Sequence, residues 1–321
     1  MNIQMVDLKG QYKRLKKEID AAIRGVINGA AFINSPQVTT ICTLLAEYMS
    51  VRHVIPCGNG TDEIRLALSA LNAQPGAEVI IPAFTYIAAA EMVASLGLTP
   101  ILVDVDSKTF NINPELLEQA ISRQTKAIIV VHLFGQLCDM EPIIKIADKY
   151  KIGVIEDNAQ SLGAEYRFSD GTTKNGGTIG SIGTTSFFPS KPLACYGDGG
   201  AVMTSNSELA ERIRILANHG QTEKYYHKAV GCNSRLDTLQ AAILDGKLKY
   251  MDEFTEARQK VAQRYDQKLG ALGDIQIPVK SSFSTHIYHQ YTLQVKKGQR
   301  DALRTYLNEK GEELSYNPYY Y

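Results

Sequence analysis

Apolar positions along the first part of the chain recur with a helical period. Leu15, Ile19, Ile23 and Val26 fall on one face and predict a helix over residues 7–28, and a second pattern predicts a helix over 36–49. A short strand at 53–56 and a helix over 64–71 follow. The pattern then changes to continuous apolar runs at 78–82, 100–105, 127–132 and 153–156, as expected of strands covered on both faces, with further strand-like runs at 183–187 and 201–204. Helical segments at 88–96, 114–122 and 142–150 separate the first runs, and Asn113-Pro114 supplies a cap and a first helical residue. This alternation predicts an α/β fold with a largely parallel sheet. Past a helix at 207–218, residues 221–233 are polar and aromatic and predict a surface excursion. A long helical pattern runs over 236–269, with room for one break. Pro278 marks a boundary, residues 287–295 alternate like a strand, and 299–310 read as a helix. The expected division is a large α/β domain at 1–250 and a small α+β domain at 251–321.

In a parallel sheet the site lies outside the carboxyl ends of the strands. Polar clusters fall at five such ends: Phe84-Thr85-Tyr86, Asp104 with Asp106, His132 with Phe134-Gly135-Gln136, Asp157-Asn158 with Gln160, and Ser186 through Lys191. Lys191 stands between a strand end and the glycine-dense turn Gly197-Asp198-Gly199-Gly200, where backbone can approach a ligand closely. Cys57-Gly58-Asn59-Gly60-Thr61-Asp62 opens a helix and offers either an anion site at a helix start or an ordinary capped start with Asn59 or Thr61 as the cap.

Composition narrows the classes. Of 321 residues, 44% are hydrophobic and 21% charged, as in an ordinary globular protein. Lys+Arg and Asp+Glu number 34 each, which gives no support for a nucleic-acid partner. No apolar run reaches the ~20 residues of a membrane span, and the first residues do not read as a signal peptide. Five scattered cysteines without a Cys-x-x-Cys point to reduced thiols and a cytoplasmic location. There is no dinucleotide fingerprint, no nucleotide-triphosphate loop, no Gly-x-Ser-x-Gly elbow and no metal-ligand spacing around His132, so no metal is expected.

The clusters do match the inventory of a pyridoxal 5'-phosphate site. Lys191 supplies an amine for a Schiff base. Asp157 can keep a pyridine nitrogen protonated, and Tyr86 can stack on the ring. Gly60, Thr61 and Asp62 with Ser186 can hold a phosphate. Taken singly, Asp157 reads as a structural carboxylate and Tyr86 as a core aromatic.

These stretches, with Val131–Gln136 and Gly231-Cys232-Asn233-Ser234-Arg235, resemble the DegT/DnrJ/EryC1/StrS aminotransferases over about residues 5–310. The resemblance implies a fold type I pyridoxal phosphate enzyme that aminates a nucleotide-linked keto-sugar, with glutamate as amino donor. It implies a homodimer with shared active sites. It places Gln160 near the ring hydroxyl, Asn233 on the phosphate of the other subunit, and His219, Tyr225 and Arg235 near the sugar nucleotide. The runs Phe134–Gln136 and Asn218–Ala242 look closest to the branch that aminates carbon 3.

The chain departs from the family's usual pattern at Glu63 and Ala89, where Ala and Thr are common, and at Asn158, where Ala is common. Beyond Gly311 the resemblance leads one to expect an apolar run, Tyr-Tyr-Pro and a histidine. Glu312–Tyr321 instead predicts a truncated or diverged tail. Two rival readings are a sugar dehydratase of the same family, against which Lys191 counts because those members carry histidine there, and a non-catalytic regulator that binds cofactor or sugar nucleotide.

Overall fold

A computed structural model describes residues 3–295 and 298–311. The expectation about the tail beyond Gly311 lies outside the described residues. Helix α1 (Leu8–Gly29) is capped by Asp7, whose carboxylate accepts from Gly10 N–H at 2.8 Å. Its buried face, Leu15, Ile19 and Val26, is the periodic stripe of the sequence, and Leu15 and Ile19 pack with Ile243. Each such side chain contributes about 1.5–3 kcal/mol when fully buried. Helix α2 (Pro36–Met49) leads into β1 (His53–Cys57) and α3 (Gly60–Ala70). The alternation then gives β2 (Glu78–Pro82), α4 (Ala88–Ser95), β3 (Thr99–Val103), α5 (Pro114–Gln119), β4 (Thr125–Val131), α6 (Met140–Tyr150) and β5 (Gly153–Asp157). A small hairpin, β6 (Glu165–Arg167) and β7 (Thr173–Asn175), precedes β8 (Ile182–Ser186) and β9 (Gly200–Thr204).

Seven strands form one sheet in the order β1-β9-β8-β5-β4-β2-β3. Only β9 runs against the others, since it pairs antiparallel with both β1 and β8 while the remaining pairs are parallel. The α/β fold is therefore as the sequence implied. The apolar runs of β4 and β5 are buried, with Ile128, Ile129, Val130 and Ile155 fully so, as strands covered by helices must be. At the edge, β3 leaves Leu102 47% exposed, so its apolar run is not covered on both faces within one chain.

Helix α7 (Ser207–Ala217) is followed by an exposed hairpin, β10 (Gln221–Glu223) and β11 (Tyr226–His227). The long helical pattern is two helices, α8 (Thr238–Leu248) and α9 (Met251–Leu269), parted at Lys249-Tyr250. Strands β12 (Ile275–Gln276) and β13 (Gln294–Val295) pair, and α10 (Arg300–Glu309) follows. The strand expected over 287–295 forms only at its last described residues. Residues 283–290 instead lace onto the large unit, through Arg167 N–H to Phe283 O (2.7 Å), Thr285 N–H to Glu165 O (3.0 Å), Ile287 N–H to Gly135 O (2.9 Å) and Gln290 N–H to Phe134 O (3.2 Å). The alternation reflects rings that pack, with His286 stacked on Tyr288 at 4.0 Å, rather than a pleated ladder. Among the described residues no helix is long and apolar enough to cross a membrane.

Candidate active site

Register sets the first pieces of the site. Val131 of β4 pairs with Asp157 of β5, which pairs with Thr184 of β8, so β8 runs two residues further, to Ser186, at the same edge. The chain then makes a turn closed by Lys191 N–H donating to Phe188 O at 2.8 Å. Cys195 N–H returns to Phe187 O at 2.9 Å, and Phe187 N–H donates to Gly199 O at 2.8 Å. Lys191 is thus fixed at the base of a closed loop, as its position between strand end and glycine turn implied. Its ammonium makes no hydrogen bond or ion pair among the described residues. Burial lowers its pKa, opposed by the nearby charges of Asp157 and Glu63.

Asp157 lies within electrostatic reach of Lys191. Its carboxylate accepts one backbone donor, Ala159 N–H at 3.0 Å. Burial raises its pKa, while that hydrogen bond and the charge of Lys191 pull it down.

The start of α3 closes the other side. Asn59 caps the helix, its Oδ1 accepting from Thr61 N–H at 3.0 Å and Asp62 N–H at 2.8 Å. This cap starts the helix at Gly60, four residues before the apolar pattern begins. A phosphate held there would share those two donors with Asn59. The Asp62 side chain accepts from the Ser234 hydroxyl at 2.6 Å, and the same hydroxyl accepts from Gly58 N–H at 2.9 Å. Ser234 therefore ties the segment before α8 to the helix start. A Cβ on Gly60 would lie 2.8 Å from Ser186 Cβ and 2.9 Å from its Oγ, so only glycine lets α3 approach β8 this closely.

A third wall is built from residues 132–136. Phe134 is held at φ 60° and Gly135 at φ 108°, where a Cβ would meet the His289 and Tyr288 nitrogens at 2.8 Å. Gln160 Oε1 accepts from Phe134 N–H at 2.7 Å, leaving its Nε2 without a partner among the described residues. Phe84 stacks on Phe110 at 5.3 Å and Phe110 meets Phe134 edge-on at 5.6 Å. Tyr86, just past β2, is 55% exposed.

His132 belongs to the core rather than to the hollow. Cys138 N–H donates to its Nδ1 at 3.1 Å, which assigns the proton to Nε2, and Nε2–H donates to Glu156 Oε2 at 2.9 Å. Its backbone N–H donates to Asp157 O at 3.0 Å, so it helps to fix the Asp157 turn. Among the described residues no cluster of three potential metal ligands occurs. Asp106 serves its own turn, accepting from Lys108 and Thr109 N–H, and Asp104 accepts from Val105 N–H. That cluster is not drawn into the hollow through any of these bonds.

Asn233 is exposed, and α8 starts at Thr238 after Asp237, so Asn233 does not cap that helix. Its backbone bridges Asn218 beside His219, which is exposed at φ 58°. Tyr225 is 80% exposed on the hairpin, and Arg235 is half-buried.

Three residues escaped the sequence reading as parts of the site: Glu63 and His289 within electrostatic reach of Lys191, and Arg258 within reach of His289. His289, read as a strand residue, has its pKa pushed down to about 3 by burial and then by Lys191 and Arg258. Arg258 of α9 has a buried Nη1 with no partner among the described residues. Glu63, noted only as an unusual residue after Asp62, is 1% exposed beside the cradle.

The arrangement fits a phosphate-bearing aldehyde cofactor: an unpaired, half-buried amine, a carboxylate within electrostatic reach of it, and a glycine-walled helix start beside a serine hydroxyl. Comparison with known proteins agrees. The profile of the DegT/DnrJ/EryC1/StrS aminotransferase family matches residues 13–321. Over 309 residues the chain is 47% identical to a UDP-2-acetamido-2-deoxy-3-oxo-D-glucuronate aminotransferase of Pseudomonas aeruginosa, covering 96% of this chain and 84% of that protein. It is 44% identical over 316 residues to a pleiotropic regulatory protein of Geobacillus stearothermophilus, covering 97% and 82%. A solved structure of S. venezuelae DesV in complex with a ketimine intermediate superposes with TM-score 0.93 at 37% identity, covering 97% of this chain and 82% of that one. The chain belongs to the DegT/DnrJ/EryC1/StrS aminotransferase family.

Proposed function

We propose that this aminotransferase moves an amino group, with glutamate as donor, onto carbon 3 of a nucleotide-linked keto-sugar, using pyridoxal 5'-phosphate held at Lys191. The observation that carries this reading is the partnerless, half-buried amine of Lys191 facing Asp157 across a hollow closed by Gly60 and Ser186. When bound, pyridoxal phosphate supplies an aldehyde that condenses with amines and a cationic ring that accepts an electron pair. Lys191, with its pKa lowered by burial, holds more of the neutral base at a given pH than an exposed lysine and would carry the proton between substrate and cofactor carbons. Asp157 would hold the proton on the ring nitrogen, Tyr86 would cover the ring face, and the free Nε2 of Gln160 would meet the ring hydroxyl. Gly60, Thr61, Asp62 and Ser186 would hold the phosphate. His219, Tyr225 and Arg235 would meet the sugar nucleotide. The 3-oxo sugar in the name of the Pseudomonas relative supports carbon 3.

The same reading makes the active unit a cytoplasmic homodimer, with Asn233 donating to the phosphate of the other subunit. It keeps the division of the chain at 1–250 and 251–321. Mixing Lys191→Ala with Asn233→Ala subunits tests the sharing. Activity returns in part if Asn233 works across the interface, and stays absent, with subunit exchange verified, if it works within its own chain.

The test of the reaction is turnover with glutamate and a 3-keto nucleotide sugar, followed by NMR of the product. Nitrogen on carbon 3 is expected, and nitrogen on carbon 4 overturns the regiochemistry. A second reading, a regulator that binds the cofactor without turnover, draws on the name of the Geobacillus relative and predicts a yellow protein inert in that assay.

A further inference from the structure

Glu63 lies in the first turn of α3, is 1% exposed, and neither of its carboxyl oxygens has a hydrogen-bond partner among the described residues. A buried carboxyl without donors is costly in its ionised form. Two glycines make room for it. Its Oε1 lies 2.7 Å from where a Cβ on Gly200 would stand and 3.1 Å from where one on Gly60 would stand. The same Gly60 position is 2.9 Å from Ser186 Oγ, so the acid and the serine hydroxyl flank one glycine.

We propose that Glu63 is a proton-bearing wall of the phosphate cradle: it must be neutral for a phosphate group to settle at the start of α3, so that anion capture takes up a proton at this carboxyl. The proposal rests on the reading above that Gly60 and Ser186 hold the cofactor phosphate.

The charges around Glu63 agree with it. Burial first, then Asp157 of β5 and Asp62 of its own helix, raise its pKa well above the usual carboxylate range, against Lys191 and the nearby Thr185 N–H. That N–H eases the burial without forming a hydrogen bond of normal geometry. Cys57 of β1, also within electrostatic reach, is kept as a neutral thiol by its own burial. Of these groups only Lys191 is a cation, and it already faces Asp157. A phosphate added here brings about 1.5 to 2 further negative charges. It therefore favours the neutral form of Glu63 still more, and the missing proton comes from solvent.

Calorimetric titration of the full chain tests this, comparing wild type with Glu63→Gln in buffers of different ionisation enthalpy across pH. The probes are pyridoxal phosphate, pyridoxal and inorganic phosphate. Above the pH at which Glu63 ionises in the free protein, wild-type affinity for pyridoxal phosphate should fall, relative to the variant, by up to about ten-fold per pH unit. Wild type should also take up as much as one more proton on binding. Inorganic phosphate should show the same direction, and pyridoxal, lacking the phosphate, should show no difference. Equal slopes and equal proton uptake in the two proteins overturn the proposal, as does an equal difference with pyridoxal. Glu63→Ala must reproduce the loss of slope, so a folding defect peculiar to the glutamine variant does not decide the matter. If pyridoxal phosphate fails to bind either protein, the reading of the site fails, and the inorganic phosphate arm still decides the role of Glu63.

Discussion

Two buried glutamates at this sheet edge have opposite surroundings. Glu156 on β5 is fully buried and meets four donors: His132 Nε2–H at 2.9 Å, and the backbone N–H groups of Gly177 (2.9 Å), Ile179 (2.7 Å) and Gly180 (2.5 Å). Glu63 on α3 is as deeply buried and meets none among the described residues. The first is a structural tie that joins β4, β5 and the chain entering β8. The second stands beside the cradle with its bonding capacity unused, in a protein where most buried polar groups are satisfied. Asp157, the neighbour of Glu156, is intermediate, with one backbone donor and partial exposure. The number of donors thus sorts three carboxyls by the roles proposed for them: holding the fold, holding a ligand's proton, or changing their own charge.

Each can be changed to sharpen or break that ordering. Glu156→Ala should cost most. It strips His132 and three N–H groups of their acceptor in the core, and a loss of about 3–5 kcal/mol is expected in denaturant unfolding. A loss under about 1 kcal/mol would mean that the tie is dispensable. Asp157→Asn keeps the shape and removes the charge that would hold the ring proton. It should leave stability near wild type and lower turnover by about 10²-fold, a modest general acid–base effect. An equal fall in stability would place Asp157 with Glu156 instead.

Glu63→Gln should change stability least at acid pH, where both side chains are neutral, within about 1 kcal/mol of wild type. Its mark is in the pH dependence. The folded pKa of Glu63 is raised above its unfolded value near 4.3. The stability tied to the neutral form is therefore complete below the unfolded value and is lost as pH rises toward and through the folded one. Thermal unfolding of wild type should weaken across that window relative to Glu63→Gln, and parallel curves would show that Glu63 does not titrate there.

Much of this was legible in the chain. Continuous apolar runs gave the buried strands because helices cover both faces of the inner ones, and strand ends named Asp157, Ser186 and Lys191 because a parallel sheet gathers those ends. The start of α3 was legible only in part: Asn59 as a cap was one of two readings, and the structure realises it. Glu63 was visible as an oddity but not as a buried one. Nothing in Asn59–Glu63 tells that Gly200, far along the chain, leaves the space it fills. His289 was misread because alternating aromatics look like a strand, whereas residues 286–291 pack their rings and bond to the 133–136 turn. Periodicity reports which side chains are buried together. It does not report which distant backbone supplies the donors.

Whether Lys191 carries the cofactor is tested by borohydride reduction of the protein loaded with pyridoxal phosphate, followed by mass mapping of the labelled peptide. A single pyridoxyl adduct on Lys191, bleaching of the yellow colour on reduction, and no adduct in Lys191→Ala are expected if it does. A stable adduct on another lysine, or colour and label retained in Lys191→Ala, would contradict it.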